Sequence, residues 1–348
     1  MSRAASQFGI QLAPLVALAV GVAVPFLLDS YTTFQLATAL SYLPALLGLV
    51  VITGLGGQIA LGNGAFFALG AYTTGVLIKS YGWNELATLP AAGLLAFVVG
   101  IVLGVPSLRL KGHFLAVLTL CLAVVAPQLF KHFESITGGV GGLGIFLADP
   151  PSWVRIDATQ RNYLIALAIA ALSFASTRAV IRGHIGRALR AVRDNEAIAA
   201  SLGANVTHLK VAAFAYSAAL AGLGGGVFAI VIGFIAPDNF TLGFAALLII
   251  GLVLGGKDSE WGALNGCLLV VGIPLYAAKI DQTASGLVFA LLVLTATFLA
   301  PAGVVGLTRR LAGYWGGTGD AAPNRSANAH LTGLHDAGAA AGHCHEGK

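Results

Sequence analysis

The residues of this chain best suited to binding another molecule lie in a charged stretch between long apolar segments. It is Gly183–Gly203, with the sequence GHIGRALRAVRDNEAIAASLG. The pattern predicts one helix from near Ile185 to Leu202, ended by Gly203, with Thr207 capping the next helix. Its arginines recur every three residues, close to one stripe of that helix: Arg187, Arg190 and Arg193. A second stripe at helical spacing contains Leu189, Val192, Ala199 and Gly203.

Two interpretations of this predicted helix fit its residues. In the first, the helix lies on a membrane surface and its arginines hold it there. In the second, it docks on a soluble partner, and its small residues let it enter a cleft. The stretch alone does not separate these alternatives.

Two other segments resemble binding sites. Gly251–Asp258 matches most of a P-loop, but Asp258 stands where Ser or Thr binds magnesium, and the glycines end an apolar segment instead of following a buried strand. We interpret it as a turn between helices. The tail contains His330, His335, His343, Cys344 and His345. Without a second ligand pair at fixed spacing, a solvated tail is favoured over a zinc or copper site.

The apolar segments contain no catalytic arrangement of Ser, His and Asp, of paired carboxylates, or of Cys and His. This argues against an integral-membrane enzyme. No apolar segment has an acidic residue near its centre, which argues against a proton-coupled carrier. A sodium site built of carbonyl and hydroxyl oxygens would pass this test. These residues therefore leave open the function of a stand-alone secondary transporter.

The composition is that of an integral membrane protein. Charged residues make up 9% and hydrophobic residues 57% of the 348 residues, whereas a soluble domain has about 25% charged residues. The 46 glycines suit close helix packing in lipid. The net charge of +5 is spread over loops between apolar segments, so it indicates orientation and not a nucleic-acid partner.

We predict an all-α fold with about ten transmembrane helices. The predicted spans are Leu12–Leu28, Leu36–Gly54, Gly64–Lys79, Thr88–Leu108, His113–Phe130, Tyr163–Ile181, Leu209–Ile235, Phe244–Gly256, Trp261–Ala278 and Gly286–Ala300. The positive-inside rule places both termini and the stretch Gly183–Gly203 in the cytoplasm. Residues 1–312 would form the transmembrane domain, with a cytoplasmic loop at 182–206, and residues 313–348 a disordered cytoplasmic tail.

A glycine- and amide-rich segment, Gly54–Gly64, separates two predicted spans and contains Gln58 and Asn63. Two interpretations are open. The segment is a tight cytoplasmic turn, which its glycines and Asn63 would explain. Alternatively, it is non-helical backbone at membrane depth, which is tolerated where it is buried in protein or lines a wet cavity.

Five blocks of the chain, in order, carry a family resemblance. They are GLGGQIALGNGAFFALGAYT (54–73), PSLRLKGHFLAVLTL (106–120), TGGVGGL (137–143), IGRALRAVRDNEAIAASLG (185–203) and AFAYSAALAGLGGGVFA (213–229). The fourth resembles the EAA-type coupling loop of bacterial ABC importer permeases. Together they resemble the M-type, LivM-like permease subunit of branched-chain amino acid ABC importers over most of residues 36–300. Asn63 replaces a more usual histidine and Val140-Gly141 an asparagine-containing turn, and both changes bear on the solute.

The resemblance implies an importer subunit in the bacterial inner membrane. Its partners would be a second homologous permease, two cytoplasmic ATPase subunits that bind the ATP, and an extracytoplasmic solute-binding protein, with lipid around the spans. The solute would be a branched-chain amino acid, urea, an amide or another small polar molecule.

The resemblance also implies three groups of functional residues in this chain. For coupling to the ATPases they are Gly186, Arg187, Ala191, Glu196, Ala199 and Gly203. For the translocation path they are Gln58, Asn63, Phe66 and Phe67. For contact with the binding protein they are Gly138, Gly139, Gly141 and Gly142.

Overall fold

The computed structural model describes residues 18–58, 60–107, 113–145 and 157–280. Within these ranges the chain is almost entirely helical. The α-helices are α1 (Leu18–Leu27), α2 (Ser30–Leu49), α3 (Asn63–Tyr81), α4 (Glu85–Ser107), α5 (His113–His132), α6 (Glu134–Thr137), α7 (Ala158–Arg182), α8 (His184–Asp194), α9 (Glu196–Ser201), α10 (Val206–Ile232), α11 (Leu242–Gly255) and α12 (Glu260–Ile280).

Shorter elements connect these helices. A π-helix, Val50–Leu55, continues α2, and two 3₁₀ helices cover Gly139–Gly141 and Pro237–Phe240. Strand β1 (Leu143–Gly144) pairs antiparallel with β2 (Phe234–Ile235), so the loop after α5 lies against the end of α10.

The predicted all-α architecture is confirmed for the described residues, and their helices overlap nine predicted spans. Four helical segments are long and apolar enough to cross a membrane: Ser30–Leu55, Glu85–Val105, Ala158–Arg182 and Val206–Ile232. A fifth is the bent pair Ala116–His132 and Glu134–Gly141, if it forms one span. The predicted span Gly286–Ala300, the disordered tail and the histidine-rich segment lie outside the described residues. Ten crossings and the position of the termini stay predictions.

Helix α10 forms the centre of the fold and packs on α2, α3 and α4. Three consecutive glycines face three neighbours: Gly224 faces the Ser41 carbonyl of α2, Gly225 the Phe67 carbonyl of α3, and Gly226 the Thr74 hydroxyl of α3 and Leu89 of α4. A methyl group at any of them would overlap those atoms. Because apolar side chains gain little by leaving lipid, such close backbone contact is a main source of helix association in a membrane.

The ion pairs of the described residues agree with the predicted alternation of loops. Counted along the predicted spans from a cytoplasmic N-terminus, both members of each pair lie in, or next to, loops on the same side of the membrane. The pairs are Lys131–Asp238, Arg161–Glu85, Arg178–Glu260, Arg193–Asp258, Arg193–Asp194 and Lys210–Glu196. Most link elements far apart in the chain, so the loops of each side meet in space.

Substitution of Gly225 tests the close approach of α10. We expect Gly225→Ala to lower the free energy of unfolding by about 1–3 kcal/mol, because its methyl group would overlap backbone atoms of α3 that have little freedom to move. Denaturant titration of the purified protein in detergent measures this difference. Gly272→Ala is the matched control, since nothing lies within 4 Å of a Cβ atom there. Equal stabilities of the two variants would contradict the packing argument.

Candidate docking surface and transport path

The charged stretch forms two helices, so the prediction of a single helix from Ile185 to Leu202 is wrong. Helix α8 ends at Asp194 and α9 begins at Glu196. Asn195 between them has extended backbone, and its side-chain oxygen accepts hydrogen bonds from the N–H groups of Ala197 (3.0 Å) and Ile198 (3.1 Å). The amide thereby caps α9 and stops α8, a role for which asparagine is well suited.

The ends of the second helix also follow cap chemistry. Gly203 has φ +85° and follows the last turn of α9, which confirms it as the residue that ends the helix. The prediction that Thr207 caps α10 is wrong. Asn205 caps this helix, because its side chain accepts a hydrogen bond from the N–H of His208 at 3.2 Å.

One face of α8 and α9 is seated on the protein itself. Gly186, Leu189, Val192 and Ala199 are buried. A Cβ atom on Gly186 would lie 2.5 Å from the Val180 carbonyl oxygen and 2.6 Å from that of Ile181, at the end of α7. The small residues Gly186 and Ala199 therefore let the element sit against its own chain.

The opposite face of α8 and α9 is open to solvent and includes Arg187, Ala191, Glu196 and Gly203. It also presents two large apolar side chains that the sequence prediction missed. Ile198 is 58% exposed and Leu202 is 80% exposed. They are four residues apart, and two large apolar residues at that helical spacing, away from the predicted buried stripe, are the sequence signal that could have identified them. We call Ile198, Leu202 and the four predicted residues the docking surface.

The segment before α3 is not a tight turn between the ends of two helices, because α3 begins beside the middle of α2. Its position at membrane depth stays a prediction. Asn63, the first residue of α3, donates to the Ala45 carbonyl of α2 at 3.3 Å. Ala45 lies almost three turns before Leu55, roughly 15 Å at the rise of a helix. Leu55 and Asn63 therefore lie about that distance apart along α2, and residues 57–58 and 60–62 between them, which we call the ascending segment, form no helix.

Side chains from three helices hold the ascending segment. Asn63 also donates to the Ser217 hydroxyl of α10 at 3.0 Å, and the Thr119 hydroxyl of α5 accepts from the Leu61 N–H at 3.1 Å. At the lower end, the Gln58 N–H donates to the Ile52 carbonyl at 3.1 Å. The Asn63 side chain is buried and hydrogen-bonded, whereas Gln58 is half-buried.

The two predicted path phenylalanines lie one turn further along α3, in a buried aromatic cluster. Phe66 packs edge-on against Phe214, with ring centroids 5.6 Å apart. Phe67 is 0% exposed and touches rings from four elements. These rings are Tyr42 on α2, Phe228 on α10, Phe240 on the second 3₁₀ helix and Phe244 on α11, at centroid distances of 5.8, 5.5, 6.1 and 5.0 Å.

The predicted contact loop for the binding protein lies at the other end of the molecule from the docking surface. Gly138, Gly139 and Gly142 have positive φ angles of 76°, 59° and 74°, which fold the loop tightly. Gly138 and Gly141 are exposed, together with Val140 at 66%, whereas Gly139 is buried against Glu134. The loop is anchored by β1 and by the Thr137 hydroxyl, which donates to the Phe130 carbonyl.

A double-mutant cycle tests the anchor of α3. We expect Asn63→Ala and Ser217→Ala to be non-additive, with a coupling free energy of about 0.6–2 kcal/mol, since the two side chains exchange hydrogen bonds in a buried site. Denaturant titration of the two single variants and the double variant measures it. The cycle Asn63→Ala with Ser201→Ala serves as the control, because Ser201 is exposed on α9. Additive effects at Asn63 and Ser217 would contradict the anchor.

Comparison with known proteins gives similar sequences over most of the chain. The chain is 35% identical over 281 residues to the "High-affinity branched-chain amino acid transport system permease protein LivM" of Escherichia coli, covering 74% of this chain and 66% of that protein. It is 34% identical over 277 residues to the protein of the same name from Salmonella typhimurium, covering 73% and 65%. The match to the "High-affinity branched-chain amino acid transport system permease protein BraD" of Pseudomonas aeruginosa is 26% identical and covers 75% and 90%.

The chain thus spans just under two thirds of the length of the first two relatives. No solved structure matches it significantly. The family described as "Branched-chain amino acid transport system / permease component" matches residues 31–299, which is most of the chain and includes the docking surface, the ascending segment and the glycine loop. The resemblance noted in the sequence is therefore confirmed, and the chain belongs to the family of branched-chain amino acid transport permeases.

Proposed function

We propose that this chain is a permease subunit of an ATP-binding cassette importer. It moves a branched-chain amino acid or a related small polar solute across the inner membrane of a bacterium. The observation that carries the proposal is the docking surface, a helix pair with one face packed on the helical bundle and exposed Ile198 and Leu202 on the other. Exposed apolar side chains rimmed by polar ones are typical of a protein interface.

The partners follow from the family and from what this chain does not supply. A second, homologous permease completes the pathway, and two cytoplasmic ATPase subunits bind and hydrolyse ATP. An extracytoplasmic binding protein delivers the solute. Gly251–Asp258, the segment that resembles a P-loop, is the end of α11 and its turn into α12, so it lacks the strand that precedes a phosphate-binding loop. This supports ATP binding by separate chains.

Energy enters through the docking surface. ATP binding closes the ATPase dimer, and the helix pair α8–α9 moves with the subunit on which it docks. The buried face, with Gly186 against the end of α7, transmits the movement to the bundle as a rigid-body displacement. The difference in ATPase binding energy between the two arrangements drives the change, because a ligand shifts an equilibrium only by its differential affinity.

The solute path runs beside the ascending segment. Gln58 and Asn63 supply amides along a stretch of otherwise apolar residues, and Phe66 and Phe67 follow directly above them. The rings around Phe67 enclose it completely in this arrangement, so this is the closed state at that level, and the cluster separates when the path opens. At the outer end, Gly138, Val140 and Gly141 form the exposed part of the surface that receives the loaded binding protein.

The central experiment is uptake by the complete transporter. The chain is reconstituted into proteoliposomes with its ATPases, second permease and binding protein, and uptake of radiolabelled leucine, isoleucine, valine, urea and a short amide is measured with and without ATP. ATP-dependent uptake of one of these solutes is the expected result. Uptake that persists undiminished without ATP would overturn the proposal and favour a secondary transporter.

Truncation of the docking surface tests its role. We expect Ile198→Ala with Leu202→Ala to lower uptake and ATPase co-purification by about tenfold or more, since apolar anchors at interface centres typically contribute 1–2 kcal/mol or more each. The matched control is His208→Ala, an exposed residue two positions into α10. The docking proposal fails if the double variant binds the ATPases and transports as well as the control does.

Thiol labelling tests the proposed orientation. A chain without its native cysteines carries either Gly141→Cys or Ala200→Cys, at two exposed positions. In intact cells with a permeabilised outer membrane, a membrane-impermeant maleimide should label the first variant but not the second, since Ala200 faces the cytoplasm. Labelling of both, or of Ala200→Cys alone, would contradict this orientation.

A further inference from the structure

Three segments on the docking side meet at one side chain, that of Arg193 near the end of α8. Its guanidinium donates to the Gly54 carbonyl, in the π-helix that continues α2. The same Nη1 atom lies 3.3 Å from a carboxylate oxygen of Asp258, in the turn between α11 and α12. One arginine therefore contacts both the π-helix that leads into the ascending segment and the α11–α12 turn.

Two glycines beside Arg193 leave room for its side chain and for the neighbouring turn. Gly57 has φ +66°, and a Cβ atom there would lie 2.6 Å from Cγ of Arg193, so the aliphatic part of the arginine packs directly on this glycine. A Cβ atom on Gly54 would overlap the Lys257 carbonyl. The two turns, 54–57 and 257–258, thus touch each other beneath the guanidinium.

Each contact of Arg193 leads into a part of the transport bundle. The turn at Gly54–Gly57 continues into the ascending segment and then into Asn63, which is anchored to α2 and α10. Asp258 belongs to the α11–α12 hairpin. That hairpin is closely packed, because a Cβ atom on Gly255 would overlap the Gly262 carbonyl of α12. A displacement of Arg193 therefore acts on two elements at once.

The pair with Asp258 contributes little to folding stability. The side chains of Arg193 and Asp258 are 40% and 64% exposed, and exposed ion pairs are worth about 0–1 kcal/mol. What the arginine provides is reach: its Nη1 atom contacts a carbonyl and a carboxylate at once, and it lies one bond further from the backbone than a lysine ammonium does. Its contacts are suited to transmitting movement.

We propose that Arg193 is a positioning residue that couples the movement of the docking helix α8 to the ascending segment and to the α11–α12 hairpin. The proposal rests on the proposed function and goes beyond it, since it names the residue through which displacement of α8 reaches the solute path. Loss of the side chain should leave ATP hydrolysis in place while disconnecting it from transport.

The test measures the number of solute molecules imported per ATP hydrolysed in the reconstituted transporter. We expect Arg193→Ala to lower this ratio by about fivefold or more, the size of a typical coupling between sites, with ATPase binding and hydrolysis within about twofold of the parent protein. Arg193→Lys should give an intermediate ratio, because it keeps the positive charge but its ammonium is one bond closer to the backbone than Nη1 and reaches the two acceptors less well. Lys79→Ala, which removes an exposed positive charge at the far end of α3, is the matched control.

The outcomes separate this inference from the proposed function. If the parent transporter shows no ATP-dependent uptake, the proposed function fails. If the parent transports and Arg193→Ala has an unchanged ratio, only the role of Arg193 fails. If Arg193→Ala does not assemble with the ATPases, the Asp258→Asn variant is measured instead. Import per ATP hydrolysed that falls by about twofold or more supports the coupling contact. An unchanged ratio overturns it.

Discussion

The structure depends on how closely other helices approach α10. Gly224 and Gly225 bring it against backbone atoms of α2 and α3, and Gly222 brings it against the backbone of α4. In lipid this contact replaces the hydrophobic driving force that assembles soluble proteins. The helix is therefore the fixed frame against which the ascending segment, the aromatic cluster around Phe67 and the docking element are positioned.

The chain itself connects the docking side of the bundle to its interior. The backbone leaves the π-helix at Leu55 and passes beneath Arg193, and the residues that the structure describes between there and Asn63 form no helix. The segment is held by hydrogen bonds at Leu61 and Asn63 and contacts Arg193 at Gly57, so we treat these contacts as one mechanical unit.

Sequence reasoning predicted the helices well because about 20 apolar residues in a row leave few alternatives. It also identified the buried stripe of α8, since helical spacing puts Leu189 and Val192 on one face. It missed the break at Asn195, where a local cap outweighs the helix propensity of the surrounding alanines. It could not predict that Asn63 lies beside the middle of α2, because glycine and asparagine are as common in a surface turn as in a buried non-helical segment. Nor could it distinguish Arg193 from Arg187 and Arg190, which differ only in what the fold brings near them.

The ion pairs have a consequence for how the chain inserts into a membrane. Glu85 with Arg161, Arg178 with Glu260, and Lys131 with Asp238 each connect loops that are separated by several helices. If one helix entered the bilayer in the wrong direction, the partners in such a pair would end up on opposite faces, and charges would be left alone beside packed helices. A correctly threaded chain closes all three pairs, so we expect them to favour the correct threading, by about 0–1 kcal/mol for an exposed pair such as Lys131–Asp238.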